Sequence, residues 1–189
     1  IYNAIIKAIA DGASRMNDIT MKVGEETSVV SKYLKTLIGL AIVKKETPIT
    51  EKPGKKTIYL LADNFFRFWY RFVPVNMSAI DSGRIAKTYP YVVKQHLSDY
   101  MGLVFEDICR EFMVRLAKEG KLPFIPDGFG KWWGNNPAKK RQDDIDIIGI
   151  DGNKGIFCEC KFRNELFDVS ELNDLLDASA IFTRIEEKY

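Results

Sequence analysis

A chain of 189 residues, 46% hydrophobic and 29% charged, has room for one large or two small globular domains. It has no apolar run near the ~20 residues of a membrane span and no signal peptide, so a soluble, cytoplasmic protein without a membrane partner is expected. The net charge of +2 hides an asymmetry: residues 1–61 hold 10 Lys and Arg against 6 Asp and Glu, whereas the remainder holds 18 against 20.

The three cysteines, Cys109, Cys158 and Cys160, lack the paired spacing of a zinc site, and the single histidine, His96, is far from them in sequence. They read as small buried apolar residues. Ile1 already lies inside an apolar pattern, so the chain reads as a piece of a longer protein.

The segment YNAIIKAIADGA has helical periodicity and closes at Gly12. A short second helix follows, capped by Asn17 or Asp18 and stopped at Gly24. The third runs from a cap at Thr27 or Ser28 to Gly39, with Val30, Tyr33, Leu34 and Leu37 inward. AIVKKETP and KKTIYLLAD then read as two strands joined by a Pro53-Gly54 turn. Three helices and a strand–turn–strand ribbon over residues 1–62 resemble the winged helix-turn-helix family. That resemblance implies DNA as a partner. Ser28, Ser31, Lys32 and Lys35 on the third helix would enter a groove, and Lys52, Lys55 and Lys56 in the wing would meet phosphates. Winged helices also serve as protein-interaction modules, and Glu25, Glu26 and Glu46 dilute the basic surface.

Residues 63–95 form an aromatic helical connector. Six aromatics fall between Phe65 and Phe72. Asp63 is the expected cap, with Phe65, Phe68, Trp69 and Phe72 on one face and Phe66 and Tyr70 on another. Such a helix is expected to be a connector packed between the two domains. A dimer surface, and hence a homo-oligomer, or a docking face for a missing domain is the alternative.

Residues 96–189 form the second domain. Its long helix ends at Gly120, with Leu97, Met101, Val104, Phe105, Ile108 and Phe112 as its core stripe. Glu106 shares an edge row with Gly102, Cys109 and Met113. KWWGNN reads as a strand, NPAKKRQ as a polar loop, and DDIDIIGIDGNKGIFCECKF as a hairpin. With Ile150 facing Gly155, Asp146 stands opposite Glu159 and Asp144 opposite Lys161, all on one face. Ile145, Ile147, Cys158 and Cys160 point to the other side, into the core. Opposed carboxylates repel unless a cation or proton lies between them. Mg²⁺ or Mn²⁺ takes oxygen ligands in such a setting. An ordinary cross-strand ion-pair face is the alternative.

Glu106, then Asp146 in DIDII, then Glu159-Cys160-Lys161, resembles the PD-(D/E)XK nuclease superfamily. YLLADNFFRFWYRFV, VFEDICREF, GKWWG, DDIDIIGI and CECKF together look like the C-terminal region of archaeal-type P-loop ATPases, a winged helix plus a DUF234-type domain. The resemblance implies an α+β or α/β chain in which a winged helix precedes a small restriction-endonuclease-like domain with a central mixed sheet. It implies metal-binding acids at Glu106, Asp146 and Glu159, a catalytic Lys161 and an auxiliary Asp144. It further implies a P-loop ATPase domain elsewhere in the full-length protein as partner, with ATP bound there only. The glutamine that some such nucleases carry in the following helix is absent. Asp146→Ala is expected to abolish metal binding and cleavage while leaving the fold intact. A non-enzymatic DNA-binding or assembly module with a relic nuclease fold is the competing expectation.

Overall fold

A computed structural model describes residues 1–137 and 139–189. The loop expected over 136–142 therefore includes one residue, Ala138, outside the described residues. The fold is mixed α+β, and its contacts divide it into two compact units. One holds Ile1–Thr47 and Pro53–Tyr100, the other Pro48–Lys52 and Met101–Tyr189.

The first unit opens with α1 (Tyr2–Ala10), α2 (Met16–Val23) and α3 (Thr27–Gly39). Their apolar faces meet in a core of Ile5, Ile9, Ile19, Val30, Leu34 and Leu37. The strands β1 (Val43–Glu46) and β2 (Ile58–Leu61) pair antiparallel and add Val43, Tyr59 and Leu61. Gly24 ends α2 at φ 76°, a conformation glycine adopts without a Cβ clash. The caps of α2 and α3 are Arg15 and Glu26, not the expected Asn17 or Asp18 and Thr27 or Ser28. Neither makes a side-chain cap hydrogen bond, so the packed apolar faces set where these helices start.

Helix α4 (Asn64–Phe72) starts at Asp63, as expected. Its carboxylate accepts hydrogen bonds from the backbone N–H of Phe65 at 2.7 Å and Phe66 at 3.1 Å. Asp63→Ala should therefore cost about 1 kcal/mol of stability, read as a lower midpoint in urea unfolding. Two aromatic faces are used, but with a different membership from the one expected. Phe66 and Tyr70 pack on the three-helix core, and Phe68 and Phe72 meet Tyr100 with ring centroids 5.7 and 6.0 Å away. Phe65 and Trp69 stay exposed. A short 3-10 turn, α5 (Met77–Asp81) and α6 (Ile85–Val92) lead to α7 (Lys94–Lys118).

The second unit is a four-stranded mixed sheet in the order β3-β4-β5-β6. Strands β3 (Phe129–Asn136), β4 (Arg141–Asp151) and β5 (Lys154–Cys158) are antiparallel, and β6 (Glu187–Lys188) is parallel to β5. Helix α8 (Val169–Ser179) precedes β6, and a capping box formed by Asp168 and Glu171 starts it. One face of the sheet carries Trp132, Ile145, Ile148 and Phe157 against Ala178, Phe182 and Ile185. The β4–β5 register is the expected one, with Ile150 facing Gly155. The hairpin turns through Gly152 at φ 56°, where a residue with a Cβ would be strained.

Two features depart from the expected hairpin. Strand β5 ends at Cys158, so the expected pairs Asp146–Glu159 and Asp144–Lys161 lie beyond the ladder. A bulge also interrupts the strand before it. Gly130 pairs with Ile148 and Trp132 with Ile145, so one β3 residue, Lys131, faces two β4 residues, Asp146 and Ile147. The extra residue breaks the alternation of sides. Ile145 and Ile148, three apart, share the α8-side core.

The expected core stripe of α7 holds in part: Leu97, Met101, Val104 and Phe105 are half-buried, whereas Ile108 and Phe112 are exposed. The row containing Glu106 and Cys109 also turns inward, toward Lys131 of β3 and the thiols of Cys158 and Cys160. Apolar residues occur on several faces of this helix. The ion pair at Glu106 and the thiol of Cys109 add a polar row to the inward side of the helix.

Candidate active site

The bulge builds the centre of the site. It places the Lys131 ammonium 2.9 Å from Glu106 Oε2 of α7, 3.1 Å from Asp146 Oδ1 and 3.8 Å from Asp144 Oδ2. Asp146 is the most buried of the acids, and its second oxygen, Oδ2, accepts a hydrogen bond at 2.9 Å from the backbone N–H of Cys160. One carboxylate thus ties three elements together: its own bulged strand, the β3 residue opposite the bulge and the segment after β5. Sequence reasoning placed no role on Lys131. The available signal was charge balance, since four acids and a single lysine, Lys161, leave a buried cluster short of cations.

Glu159 and Lys161 lie just past the end of β5 and pair with each other. With Asp144 they line a cleft of about 480 Å³, whose opposite side carries Glu171 and Asp174 of α8. The predicted acids therefore fall into two neighbouring groups. Glu106 and Asp146 converge on Lys131, whereas Glu159 turns to Lys161.

The electrostatics follow from this packing. Burial pushes the Glu106 carboxyl above its ordinary range, against the pull of Lys131, and the charges of Asp146 and Asp144 push the same way. Burial raises Glu159 too, opposed by its hydrogen bond from Lys161, while Asp146 and Asp144 raise it further. Burial acts to lower Lys131, but Glu106 and Asp146 outweigh it and hold the ammonium above the usual lysine range. The hydrogen bond to Glu159 is the main cause that raises Lys161. Burial, then the nearby Cys109, pushes Cys158 up to about 11 and Cys160 upward as well. Both of these thiols stay neutral, but all three cysteines are half-buried and not buried as expected.

A carboxyl raised on folding binds its proton more readily in the native state. Its contribution to stability is then greatest below the raised value and declines as pH rises through the window above the ordinary glutamate range. Wild type should lose stability relative to Glu106→Gln as pH rises above the ordinary glutamate range, measured by urea unfolding at several pH values. A difference independent of pH would contradict the assignment.

The donors suit a divalent cation in type, since carboxylate oxygens are the ligands Mg²⁺ and Mn²⁺ prefer. A cation, the Lys131 ammonium, already stands between two of them. Four carboxylates and two ammonium groups leave the set two negative charges, the charge a divalent ion would balance. As arranged, no three His, Cys, Asp or Glu side chains among the described residues form a metal-holding group.

On the first unit, Ser28, Ser31, Lys32 and Lys35 are all exposed on α3, and Lys52, Lys55 and Lys56 are exposed in the β1–β2 connection. Part of that connection, Pro48–Lys52, belongs to the second unit. The backbone N–H of Ile49 donates to the Lys131 carbonyl at 2.9 Å, and Ile49 covers Gly130, where a Cβ would come within 2.9 Å of it.

Comparison with known proteins fits the same stretch of chain. The model of DUF234, archaeal and bacterial proteins of unknown function, matches residues 69–174, more than half of the chain. The chain belongs to the DUF234 family. Its DUF234 match takes in Glu106, Lys131, Asp146, Glu159 and Lys161. The chain is also 35% identical over 166 residues to the uncharacterized protein MJECL04 of Methanocaldococcus jannaschii. That alignment covers 86% of this chain and 36% of the relative, so the chain spans little more than a third of the longer protein. No solved structure matches. No helix among the described residues is long and apolar enough to cross a membrane.

Proposed function

We propose that this DUF234 chain is the DNA-handling part of a larger ATPase, and that its second unit is a divalent-cation-dependent phosphodiesterase of the PD-(D/E)XK kind. The observation that carries the reading is the convergence of Glu106 and Asp146 on one cation position, beside the Glu159–Lys161 pair and an open polar cleft. The first unit, read as a winged helix, would hold duplex DNA through Ser28, Ser31, Lys32 and Lys35, with Lys55 and Lys56 on phosphates.

Glu106, Asp146 and Glu159 would hold Mg²⁺ or Mn²⁺. The bound ion would supply a water of lowered pKa and a Lewis acid for the phosphoryl oxygens. The chain's own residues do the remaining work. Asp146, fixed at both oxygens, orders the site around itself. Lys161 lies at the cleft wall, where its ammonium can meet the charge that develops on a phosphate. Glu159 keeps Lys161 protonated and in place. Asp144, largely exposed, assists at the rim.

Nicking of supercoiled plasmid with and without Mn²⁺ tests the reading. Wild type should nick only with the ion, and Lys161→Ala should slow nicking about 100-fold or more. Absence of ion-dependent nicking in the wild type, on plasmid and on short duplexes alike, would contradict it.

One observation favours a second reading. Lys131 pairs by itself with both Glu106 and Asp146, as it would in a structural ion-pair network of a non-enzymatic DNA-binding or assembly module. That reading expects duplex binding that does not depend on divalent ions.

A further inference from the structure

We propose that Lys131 is a built-in competitor for the divalent cation: its ammonium holds the cation position between Glu106 and Asp146, and the acids take up metal tightly only when that ammonium moves aside. The inference rests on the phosphodiesterase reading and adds to it a means of restraint.

The geometry makes the two cations exclusive. The ammonium is 2.9 Å from Glu106 and 3.1 Å from Asp146, so an ion ligated by both oxygens would occupy the space it fills. The side chains of Lys131, Glu106 and Asp146 are only 18%, 19% and 8% exposed, so solvent screens their charges little. A divalent ion beside a retained ammonium would meet strong repulsion.

The backbone at Lys131 is held while the side chain has an exit. Ile49 hydrogen-bonds to the Lys131 carbonyl and packs over Gly130, which anchors β3 at the bulge. The long, flexible lysine stem can therefore move without the strand. Asp144 stands 3.8 Å from the ammonium and is 63% exposed, which offers a second carboxylate nearer solvent. A swing from Asp146 toward Asp144 would vacate the inner position and keep the ammonium paired. Asp144 would then act as the acceptor of the displaced lysine rather than as a metal ligand.

The test is Mn²⁺ calorimetry on the full chain as wild type, Lys131→Met and Lys131→Arg, with thermal melting of the same samples. The methionine variant should bind Mn²⁺ at least 10-fold more tightly than wild type. Its melting temperature should rise with Mn²⁺ more than that of wild type. The arginine variant, which keeps the charge, should bind no better than wild type. Measurable binding that is equal in wild type and Lys131→Met would overturn the proposal and leave the phosphodiesterase reading standing. Absence of binding in every variant would overturn both. Should the methionine variant be too unstable to titrate, Lys131→Gln, which retains a hydrogen-bond donor, takes its place. Tighter binding by Lys131→Gln than by wild type would then support the proposal, and equal binding would overturn it.

Discussion

Asp146→Ala should lower the stability of the second unit by about 3–5 kcal/mol, the range for removing one partner of a buried ion pair. The side chain is 8% exposed and has a fixed partner at each oxygen, Lys131 at 3.1 Å and the Cys160 N–H at 2.9 Å. Alanine leaves the Lys131 ammonium short of one of its two close carboxylates and the amide without its acceptor. The expectation that this substitution spares the fold is therefore revised by the burial of the residue. Asp144→Ala is the control. Its carboxylate is 63% exposed and 3.8 Å from Lys131, so the change should stay within about 0.5 kcal/mol. Urea unfolding of the two variants against wild type checks both. Equal effects would mean that Asp146 is not the organising acid.

Trp132→Ala should cost about 3–5 kcal/mol, as large-to-small changes of buried aromatics do. Trp132 is buried and meets Phe182 edge-on, with ring centroids 5.4 Å apart. Gly134 lies beneath its ring, where a Cβ would approach within 2.8 Å. The spacing in GKWWG has a physical basis: Gly130 admits Ile49 and Gly134 admits the Trp132 ring. Phe112→Ala is the contrast. Helical periodicity placed Phe112 in the core, yet it is 46% exposed and its ring lies 5.1 Å from the Arg115 guanidinium. That change should cost less than about 1 kcal/mol. Denaturant midpoints that ranked the two variants the other way would show that α7 turns its predicted stripe inward after all.

Much of the chain was legible because its signals are local. Glycines and apolar periods marked the first three helices, Asp63 announced α4, and the Asp151–Lys154 turn set the register of β4 and β5. The acids were legible as residue types in order along the chain. Their arrangement was not, because it depends on a bulge, and a bulge is a property of two strands together. A strict alternation sends Asp146 to one face and Ile145 and Ile147 to the other. One extra residue opposite Lys131 instead brings Ile145 and Ile148 to a shared core and Asp146 to the ammonium. The same cause hid Lys131, whose role exists only through the two β4 residues it faces. The inward row of α7 was noticed as an odd edge of Gly102, Glu106, Cys109 and Met113. Hydrophobic counting could not promote it over Ile108 and Phe112, since ion pairing and thiol packing carry no apolar period.

The most direct test of a cation site at Asp146 is Mn²⁺ binding followed by electron paramagnetic resonance, in wild type and in Asp146→Asn. The amide keeps the shape of the carboxylate and a hydrogen-bond acceptor for Cys160, while it removes the charge and the acceptor that faces Lys131. With protein in excess over the ion, wild type should quench the six-line signal of free Mn²⁺, and Asp146→Asn should leave most of it. Equal quenching by the two proteins would contradict the claim that the acids around Asp146 form a cation site.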